Sequence, residues 1–254
     1  MSEQLSASSE RAQLQAVELS DALLEVYSDI DRRDFQLETQ QEMAIEALVD
    51  NCAAGVSEGY VEMATDSGKS ILIALMTEAA VRSNKRTLIV APSLTIADQL
   101  TGIDGETGIG RFTPLAGCGK ISRRYGGYRD DPMSGVVVTT YAGLLHEHKR
   151  PKPILGDFDV ILADECHRSL GPKTAEVATN YMPDAVRYGF SATPDYAANR
   201  RSEEVYGKSI FEYSLRDMIE SGNAAPVRAL LFETGQNLKL YDQRKDFSDR
   251  ELEP

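Results

Sequence analysis

A series of short apolar runs, separated by longer amphipathic stretches, constrains the fold of this chain more than any other feature. Each run is continuously apolar, which is typical of strands covered on both faces of a parallel sheet. The stretches between them have helical length and periodicity. This alternation predicts an α/β fold in which helices cover both faces of a mostly parallel sheet, with ligands bound beyond the carboxyl ends of the strands. The predicted strands are residues 60–64, 87–91, 136–140, 159–163 and 188–191, and the predicted helices are residues 69–82, 94–100 and 174–181.

A phosphate-binding motif follows the first predicted strand. Residues 65–70 have the sequence TDSGKS and open the helix that begins at Lys69. A tight turn in this position aims main-chain N–H groups and a helix N-terminus at phosphate oxygens. Lys69 would reach the β- and γ-phosphates, and Ser70 would ligate Mg²⁺. The candidate phosphate-binding residues are Thr65, Asp66, Ser67, Gly68, Lys69 and Ser70.

Two adjacent carboxylates end a second apolar strand. Asp164 and Glu165 directly follow the run at residues 159–163. Taken alone, the pair also fits a solvent-exposed strand end. Downstream of a phosphate-binding motif, it indicates that Asp164 holds Mg²⁺ through water and that Glu165 polarises the attacking water. Glu165, Lys69 and Asp164 are therefore the candidate catalytic residues, and Ser70 and Asp164 the candidate metal ligands.

The order of these motifs resembles the first RecA-like domain of the superfamily 2 helicases, which are P-loop NTPases. The similarity is greatest to the branch related to the motor subunits of type I and III restriction enzymes and to DNA-repair helicases. It covers residues 37–226 and implies that the chain uses ATP and Mg²⁺, with Gln41 contacting adenine. Asp66 replaces the glycine usual in motif I. The matching segments are residues 37–44 (adenine reading), 64–70 (motif I), 90–99 (motif Ia), 138–141 (a strand-end motif), 164–168 (motif II) and 190–194 (motif III).

The resemblance also assigns residues to nucleic-acid contact and to coupling. Motif Ia and the strand-end motif imply backbone contacts, with DNA as the expected partner and RNA not excluded. Motifs II and III imply residues that couple the state of the γ-phosphate to the binding of the nucleic-acid strand. The implied contacts are Pro92, Ser93, Thr139 and Thr140, and the implied coupling residues are His167, Ser191, Ala192 and Thr193.

Three segments are predicted along the chain. Residues 1–34 form a helical extension, residues 35–226 the RecA-like ATP-binding domain, and residues 227–254 a linker or the start of a second RecA-like domain. The resemblance implies that this second domain is supplied by the full-length protein or by a partner chain. Residues 102–131 are expected to be a long irregular insertion. The apolar stripe predicted for the extension contains Leu14, Val17, Leu23, Leu24 and Val26.

Charge and cysteine content limit the expected partners and compartment. The net charge is −13, from 40 acidic against 27 basic residues, which is unfavourable for binding phosphate unless the basic residues are localised. They do cluster centrally, as a phosphate-binding patch or a solvated basic face, and Tyr125 and Tyr128 within the cluster are candidates for base stacking. Three separate cysteines predict free thiols in a reducing cytoplasm, and no apolar run is long enough for a membrane span. The basic residues are Lys120, Arg123, Arg124, Arg129, Lys149, Arg150 and Lys152.

The predicted function is the ATP-binding half of a DNA helicase or translocase that couples ATP hydrolysis to strand movement. Turnover is expected to be low without the second RecA-like domain. One alternative is a helicase-derived module that binds nucleic acid or regulates a partner without turnover. The other is the motor part of a restriction endonuclease.

Overall fold

Within the described residues, seven parallel strands form one sheet at the centre of the fold. The computed structural model describes residues 2–102, 105–115, 120–149, 155–171, 173–176, 182–193 and 202–226, with side chains from residue 10 onward. The strands are β1 (Glu58–Met63), β2 (Thr87–Ala91), β3 (Ile121–Arg123), β4 (Val136–Thr140), β5 (Val160–Asp164), β6 (Val186–Ser191) and β7 (Ser209–Tyr213). Their order in the sheet is β3-β4-β2-β5-β6-β1-β7, and every neighbouring pair is parallel. The predicted α/β class is confirmed.

Helices lie in most connections between these parallel strands, whereas a loop at residues 124–135 joins β3 to β4. The α-helices are α1 (Ser2–Ser28), α2 (Thr39–Ala53), α3 (Lys69–Arg82), α4 (Leu94–Thr101), α5 (Gly108–Phe112), α6 (Tyr141–His148), α7 (Glu203–Tyr206) and α8 (Leu215–Glu220). Two 3₁₀ helices span Ile30–Arg32 and Cys166–Leu170. Residues 173–176 are also helical, and residues 177–181 of the predicted helix lie outside the described residues. No helix in the described part of the chain is long and apolar enough to cross a membrane.

The expectation of an irregular insertion at residues 102–131 is wrong in part, because this segment contains α5 and β3. β3 has only three residues, of which Ser122 alone is buried. A strand so short carries no apolar pattern. β7 at the opposite edge was likewise not predicted as a strand, since its residues are only half-buried or exposed. Continuous apolar runs identify central strands, whereas edge strands lack that signal.

The core lies on both faces of the sheet, and α1 contributes to it. Leu19, Leu23 and Val26 of α1 are fully buried, together with Tyr188 and Phe190 of β6. The predicted stripe on α1 is therefore wrong for three of its five residues. Its buried face repeats every three or four residues but is largely built from alanine, which a search for large apolar residues does not detect. The exposed members of the predicted stripe are Leu14 (61%), Val17 (39%) and Leu24 (51%), and the buried alanines are Ala12, Ala16 and Ala22.

Candidate nucleotide and nucleic-acid sites

The carboxyl ends of β1 and β5 lie on one open cleft of about 470 Å³. The turn after β1 contributes Lys69 and Ser70, and the end of β5 contributes Asp164 and Glu165. In the sheet β6 alone separates these two strands. The topology thus brings together residues that are far apart in sequence, at the edge where parallel α/β folds bind their ligands.

Lys69 is buried and bonded to the main chain just before its own turn. Its Nζ donates to the main-chain oxygens of Met63 at 2.9 Å and Ala64 at 3.0 Å. Burial lowers the pKa of Lys69, while the carboxylates around the cleft act in the opposite direction. The ammonium therefore has neutral partners that phosphate oxygens can replace. The opposing carboxylates are Glu165, Asp164 and Asp66.

Two residues in this turn have left-handed backbone angles. Gly68 has φ +93°, and a Cβ at this position would overlap the amide of Gln41, so glycine is required there. Asp66 has φ +64° and an exposed side chain. Aspartate tolerates this conformation better than most residues. The turn therefore forms although Asp66 stands where the motif I pattern has glycine.

Gln41 joins the start of α2 to the phosphate-binding turn. Its Oε1 accepts from the backbone N–H of Glu38 at 3.1 Å, in a capping box, and its Nε2 donates to the Ser67 carbonyl at 3.2 Å. The side chain is 4% exposed. These two bonds use two of the four hydrogen-bonding positions of the amide.

The paired carboxylates give the cleft an excess of negative charge. Burial first, and then the neighbouring Glu165, raise the pKa of Asp164 to about 6, although Lys69 opposes this shift. Glu165 is itself in a left-handed conformation with φ +49°. Carboxylate and hydroxyl oxygens are the ligands that Mg²⁺ prefers. Asp164 and Ser70 therefore fit a magnesium ion, which would relieve the repulsion that raises this pKa.

His167 and Ser191 connect the end of β5 to the end of β6. The His167 Nδ1 atom lies 2.9 Å from Ser191 Oγ and 3.3 Å from Glu165 Oε2. Ser191 Oγ in turn donates to Glu165 Oε2 at 3.3 Å and accepts from the backbone N–H of Thr193 at 3.1 Å. Burial lowers the pKa of His167. Of the four predicted coupling residues, His167 and Ser191 thus contact Glu165, Thr193 is bonded to Ser191, and Ala192 lies between Ser191 and Thr193 in the chain.

The predicted nucleic-acid contacts lie at the ends of β2 and β4, which are neighbours in the sheet. Ser93 caps α4 by accepting from the backbone N–H of Ile96 at 3.3 Å. Thr140 caps α6 by accepting from Gly143 at 3.1 Å, and Thr139 Oγ1 donates to the Arg124 carbonyl at 2.9 Å. Pro92 directly follows β2. Ser93 and Thr140 accept in these bonds and therefore keep their O–H groups to donate to a phosphate, whereas Thr139 uses its O–H in the bond to Arg124.

Among the other sequence hypotheses, base stacking by Tyr125 is wrong. Its ring is only 3% exposed, and its hydroxyl donates to Asp98 Oδ1 at 2.8 Å. Tyr128 is 41% exposed, with the Arg123 guanidinium 3.9 Å above its ring. Cys52 and Cys166 are free thiols, as predicted. Cys118, Arg150 and Lys152 lie outside the described residues.

Tyr141 is a structural link that sequence reasoning missed. It is the first residue of α6, and its buried hydroxyl donates to the main-chain oxygen of Asp164 at 2.9 Å. The end of β4 is thereby bonded to the end of β5, across β2. No spacing in the sequence indicates this bond, because it depends on strand order.

The parallel sheet, the lysine-bearing turn after β1 and the carboxylate pair after β5 define a RecA-like P-loop NTPase domain. Comparison with known proteins gives the family. Residues 34–196 match the family described as "Type III restriction enzyme, res subunit", and the chain belongs to this family.

Relatives of this chain include subunits of restriction enzymes. It is 25% identical over 217 residues to the Type I restriction enzyme EcoAI endonuclease subunit of Escherichia coli, covering 82% of this chain and 26% of the relative. It is 22% identical over 226 residues to the Type I restriction enzyme SauCOLORF180P endonuclease subunit of Staphylococcus aureus (strain COL), covering 85% and 24%. The chain therefore spans about a quarter of the length of these relatives.

Solved structures with the same fold include helicases and restriction enzymes. The UvsW helicase from bacteriophage T4 matches with a TM-score of 0.55 and 20% identity, over 70% of this chain and 60% of that one. A nuclease-deletion mutant of the Type ISP restriction-modification enzyme LlaGI, in complex with a DNA substrate mimic, matches with a TM-score of 0.54 and 19% identity, over 74% and 21%. At such identities the likeness concerns the fold. With the family match, it confirms the predicted ATP-binding, N-terminal RecA-like domain of a superfamily 2 motor.

Proposed function

We propose that the chain binds ATP and Mg²⁺ in the cleft between the turn at residues 65–70 and the carboxylates Asp164 and Glu165. Hydrolysis of the γ-phosphate is coupled to movement along DNA. The observation that carries this proposal is the presence of Lys69 and the two carboxylates on one cleft at the carboxyl edge of the sheet. This arrangement has both a cation for phosphate and oxygens for a metal.

Ser70 and Asp164 are the residues proposed to hold Mg²⁺, with Asp164 acting through water. When bound, the ion neutralises negative charge on the phosphate oxygens. The raised pKa of Asp164 supports this assignment, because its burial, and then the charge of the neighbouring Glu165, disfavour the carboxylate unless a cation is bound.

Lys69 and Glu165 carry the chemical step. Lys69 exchanges its two main-chain partners, the carbonyls of Met63 and Ala64, for phosphate oxygens. Glu165 orients a water molecule in line with the γ-phosphorus and accepts a proton as the new P–O bond forms. The bond to the bridging oxygen breaks, leaving ADP and inorganic phosphate. Gln41 contacts adenine through the amide positions not used by Glu38 and Ser67.

His167 and Ser191 are proposed to transmit the state of the γ-phosphate. Both contact Glu165 directly, so a change in that carboxylate alters their bonds. Ser191 also binds the backbone of Thr193, at the start of the chain that leaves β6. Movement of this segment then changes the contacts at the nucleic-acid face. There, Pro92, Ser93, Thr139 and Thr140 contact the backbone of DNA.

A second RecA-like domain, in the full-length protein or a partner chain, is proposed to complete the motor. In phosphoryl transfer, an arginine supplied by such a partner accelerates the reaction about 10³-fold or more. Turnover by the chain alone is therefore expected to be low, whereas nucleotide binding is not. This difference makes binding the better test of the site.

Calorimetric titration with ATP and Mg²⁺ tests the proposal. The unmodified chain should show saturable binding, and Lys69→Ala should weaken it at least about 100-fold, because a charged hydrogen bond to phosphate is lost in a buried site. Lys208→Ala, at an exposed lysine before β7, is the matched control and should bind as the unmodified chain does. Equal affinity of the unmodified chain and Lys69→Ala would contradict the proposed phosphate site.

The restriction-enzyme relatives favour a second, narrower candidate: this domain is the motor part of a restriction endonuclease. Co-expression with the products of neighbouring reading frames tests it. A stable complex that cleaves DNA only with ATP, and not with Lys69→Ala, would support this candidate. A complex that moves along DNA without cleaving it would contradict it and leave the motor proposal intact.

A further inference from the structure

Three buried hydroxyls lie next to the end of β5 and do not line the nucleotide cleft. They belong to Tyr141 at the start of α6, Ser169 in the 3₁₀ helix Cys166–Leu170, and Tyr206 at the end of α7. Burial raises the pKa of both tyrosines above the ordinary value of 10, so both hydroxyls stay protonated at neutral pH. Buried hydroxyls need hydrogen-bond partners, and these three partner one another and the main chain. We call them the hydroxyl cluster.

The direction of each bond in the hydroxyl cluster follows from the single proton that each hydroxyl carries. Tyr141 donates its proton to the main-chain oxygen of Asp164 at 2.9 Å, because a carbonyl can only accept. Ser169 donates to the main-chain oxygen of Cys166 at 2.6 Å for the same reason. Tyr206 is hydrogen-bonded to the hydroxyls of both Tyr141 and Ser169. Tyr206 is therefore the donor within the cluster, and it orients the hydroxyl through which Tyr141 binds Asp164.

Close packing against β6 fixes the position of Tyr206. A Cβ on Gly189 of β6 would lie 2.8 Å from Cys166 Cβ and 3.2 Å from Tyr206 Cγ. Glycine is required at this position, since atoms so close would overlap in a densely packed interior. The Cys166 Sγ atom also lies 3.6 Å from Ser202 Oγ, directly before α7. The segment that follows Asp164 is therefore packed rigidly against α7.

The bond from Tyr141 connects two of the sites described above. On one side, Tyr141 directly follows Thr139 and Thr140, which are proposed strand contacts, and it lines a cavity of about 580 Å³ together with Pro92. On the other side, its partner is the main chain of Asp164, whose carboxylate faces the nucleotide cleft. The strands β4 and β5 are not paired with each other, because β2 lies between them. The Tyr141 hydroxyl thus joins the ends of two strands that the sheet itself does not join.

We propose that Tyr141 is a positioning residue that couples strand binding to the magnesium site. A strand bound at the start of α6 shifts this helix, and the hydroxyl bond transmits the shift to the main chain of Asp164. The carboxylate of the same residue then changes its fit to Mg²⁺. Tyr206 keeps the Tyr141 hydroxyl oriented for this bond. This route is separate from the one through the side chain of Glu165, and it rests on the proposed function, in which the chain binds both ATP with Mg²⁺ and a nucleic acid.

The proposal predicts a reciprocal effect between the two ligands. If a bound strand increases nucleotide affinity by some factor, bound nucleotide must increase strand affinity by the same factor, and such couplings are typically about 5- to 150-fold. Tyr141→Phe removes only the hydroxyl. Each ligand alone should therefore bind within about twofold of its affinity for the unmodified chain, whereas the coupling factor should fall below about twofold. Tyr206→Phe should lower the factor less, because Tyr141 keeps its bond to Asp164.

Fluorescence anisotropy measures the coupling factor. Labelled oligothymidylate of about 20 nucleotides, long enough to extend beyond a single site, is titrated with the full chain. The titration is done first without nucleotide and then with saturating Mg²⁺ and adenylyl imidodiphosphate, an ATP analogue that is not hydrolysed. The ratio of the two dissociation constants is the coupling factor. Calorimetric titration of the analogue, with and without the oligonucleotide, should give the same ratio.

Tyr188→Phe is the matched control. Tyr188 is a fully buried tyrosine of β6, and its hydroxyl also donates to a main-chain oxygen, that of Val56 at 2.7 Å. Val56 lies just before β1, so this bond is at the amino edge of the sheet, away from the nucleotide cleft. Both substitutions remove one buried hydroxyl and should lower thermal stability similarly. A merely structural role of Tyr141 would lower its thermal stability and leave the coupling factor unchanged.

The expected result is a coupling factor of at least about fivefold in the unmodified chain and in Tyr188→Phe, and below about twofold in Tyr141→Phe. A Tyr141→Phe variant with the coupling factor of the unmodified chain would overturn the proposal. An unmodified chain that binds both ligands independently would overturn it too. Failure of the proposed function has a different signature, in which the analogue or the oligonucleotide does not bind to the unmodified chain at all, and the inference then fails with it.

Discussion

Two regions along the carboxyl edge of the sheet differ in the charged residues that line them. At β1 and β5, the nucleotide cleft places one lysine among the carboxylates of Asp66, Asp164 and Glu165. At the ends of β3 and β4, Arg124 and Arg129 donate to main-chain carbonyls, and the carboxylate of Asp130 also interacts with Arg124. Both regions are proposed to bind phosphate. The first needs a metal ion between its carboxylates and the ligand, whereas the second does not.

This contrast is compatible with the proposal that a chain with a net charge of −13 binds nucleic acid. The cavity at the ends of β3 and β4 has one acidic lining residue, the buried Glu147, and the acidic cleft serves a different ligand. Affinity for a strand depends on local charge and not on the total. Substitutions that change the charge of one region should therefore leave the affinity of the other region for its own ligand, measured alone, unchanged.

The largest effect is expected for Glu165→Gln in the nucleotide cleft. Phosphate release at saturating ATP and DNA, measured with the second RecA-like domain present, should fall by about 10²- to 10⁴-fold, since the base that accepts the proton is lost. ATP affinity should stay within a few-fold, because the amide has the same shape. Glu203→Gln, on α7, is the control. Phosphate release unchanged in Glu165→Gln would exclude this residue as the base.

The next largest effect is expected on the free energy of unfolding, for a substitution of Asp164. Its pKa is raised from 3.8 to about 6 in the folded chain, so its charge opposes folding above that pH and ceases to do so once it is protonated. Asp164→Asn should therefore raise the free energy of unfolding of the metal-free chain near neutral pH, by an amount on the order of 3 kcal/mol at most. The difference should shrink as the pH falls through about 6 and vanish near 3.8.

Urea unfolding at a series of pH values, in the presence of EDTA, measures this difference. The same substitution should weaken Mg²⁺-dependent ATP binding, so stability and function change in opposite directions. A metal-free Asp164→Asn variant that is less stable than the unmodified chain at neutral pH would show that the carboxylate is not repelled in the cleft.

The smallest effect is expected at Asp66, the carboxylate at the edge of the cleft. Removing its charge should increase ATP affinity by about threefold to tenfold, as for a partly screened like-charge contact. Asp66→Asn isolates the charge, because asparagine also adopts the left-handed backbone with φ +64°. Asp66→Gly adds backbone freedom. Calorimetry should show the same gain in both. If ATP affinity increased in Asp66→Gly but not in Asp66→Asn, the cause would be the backbone conformation and not the charge.

The central strands and the phosphate turn were predictable because local patterns specify them. The strands β2 and β4 and the helix α3 have the predicted bounds, since each is a continuous apolar run or a clearly delimited helix. The edge strands β3 and β7 are short or half-exposed and lack that signal. Alanine on the buried face of α1 concealed the packing of the extension.

The motif residues were likewise predictable, but their surroundings were not. Motifs I and II identify Lys69 and Asp164 from the sequence alone. The order of the strands then places both residues on one cleft. The bond from Tyr141 to Asp164 and the partners of Arg124 depend on which strands are neighbours. The stacking role expected for Tyr125 failed for the same reason, because its burial is decided by the packing of α4 and β3.

One paired measurement tests the central claim that the two regions bind separate ligands and are coupled through Tyr141. ATP titration with Mg²⁺ and oligonucleotide binding, with and without the ATP analogue, are measured on Lys69→Ala and on Tyr141→Phe. Lys69→Ala should lose ATP binding and keep the oligonucleotide affinity that the unmodified chain has without nucleotide. Tyr141→Phe should bind both ligands, with a coupling factor below about twofold. If either variant loses both ligands while remaining folded, the two regions form one site and the account is contradicted.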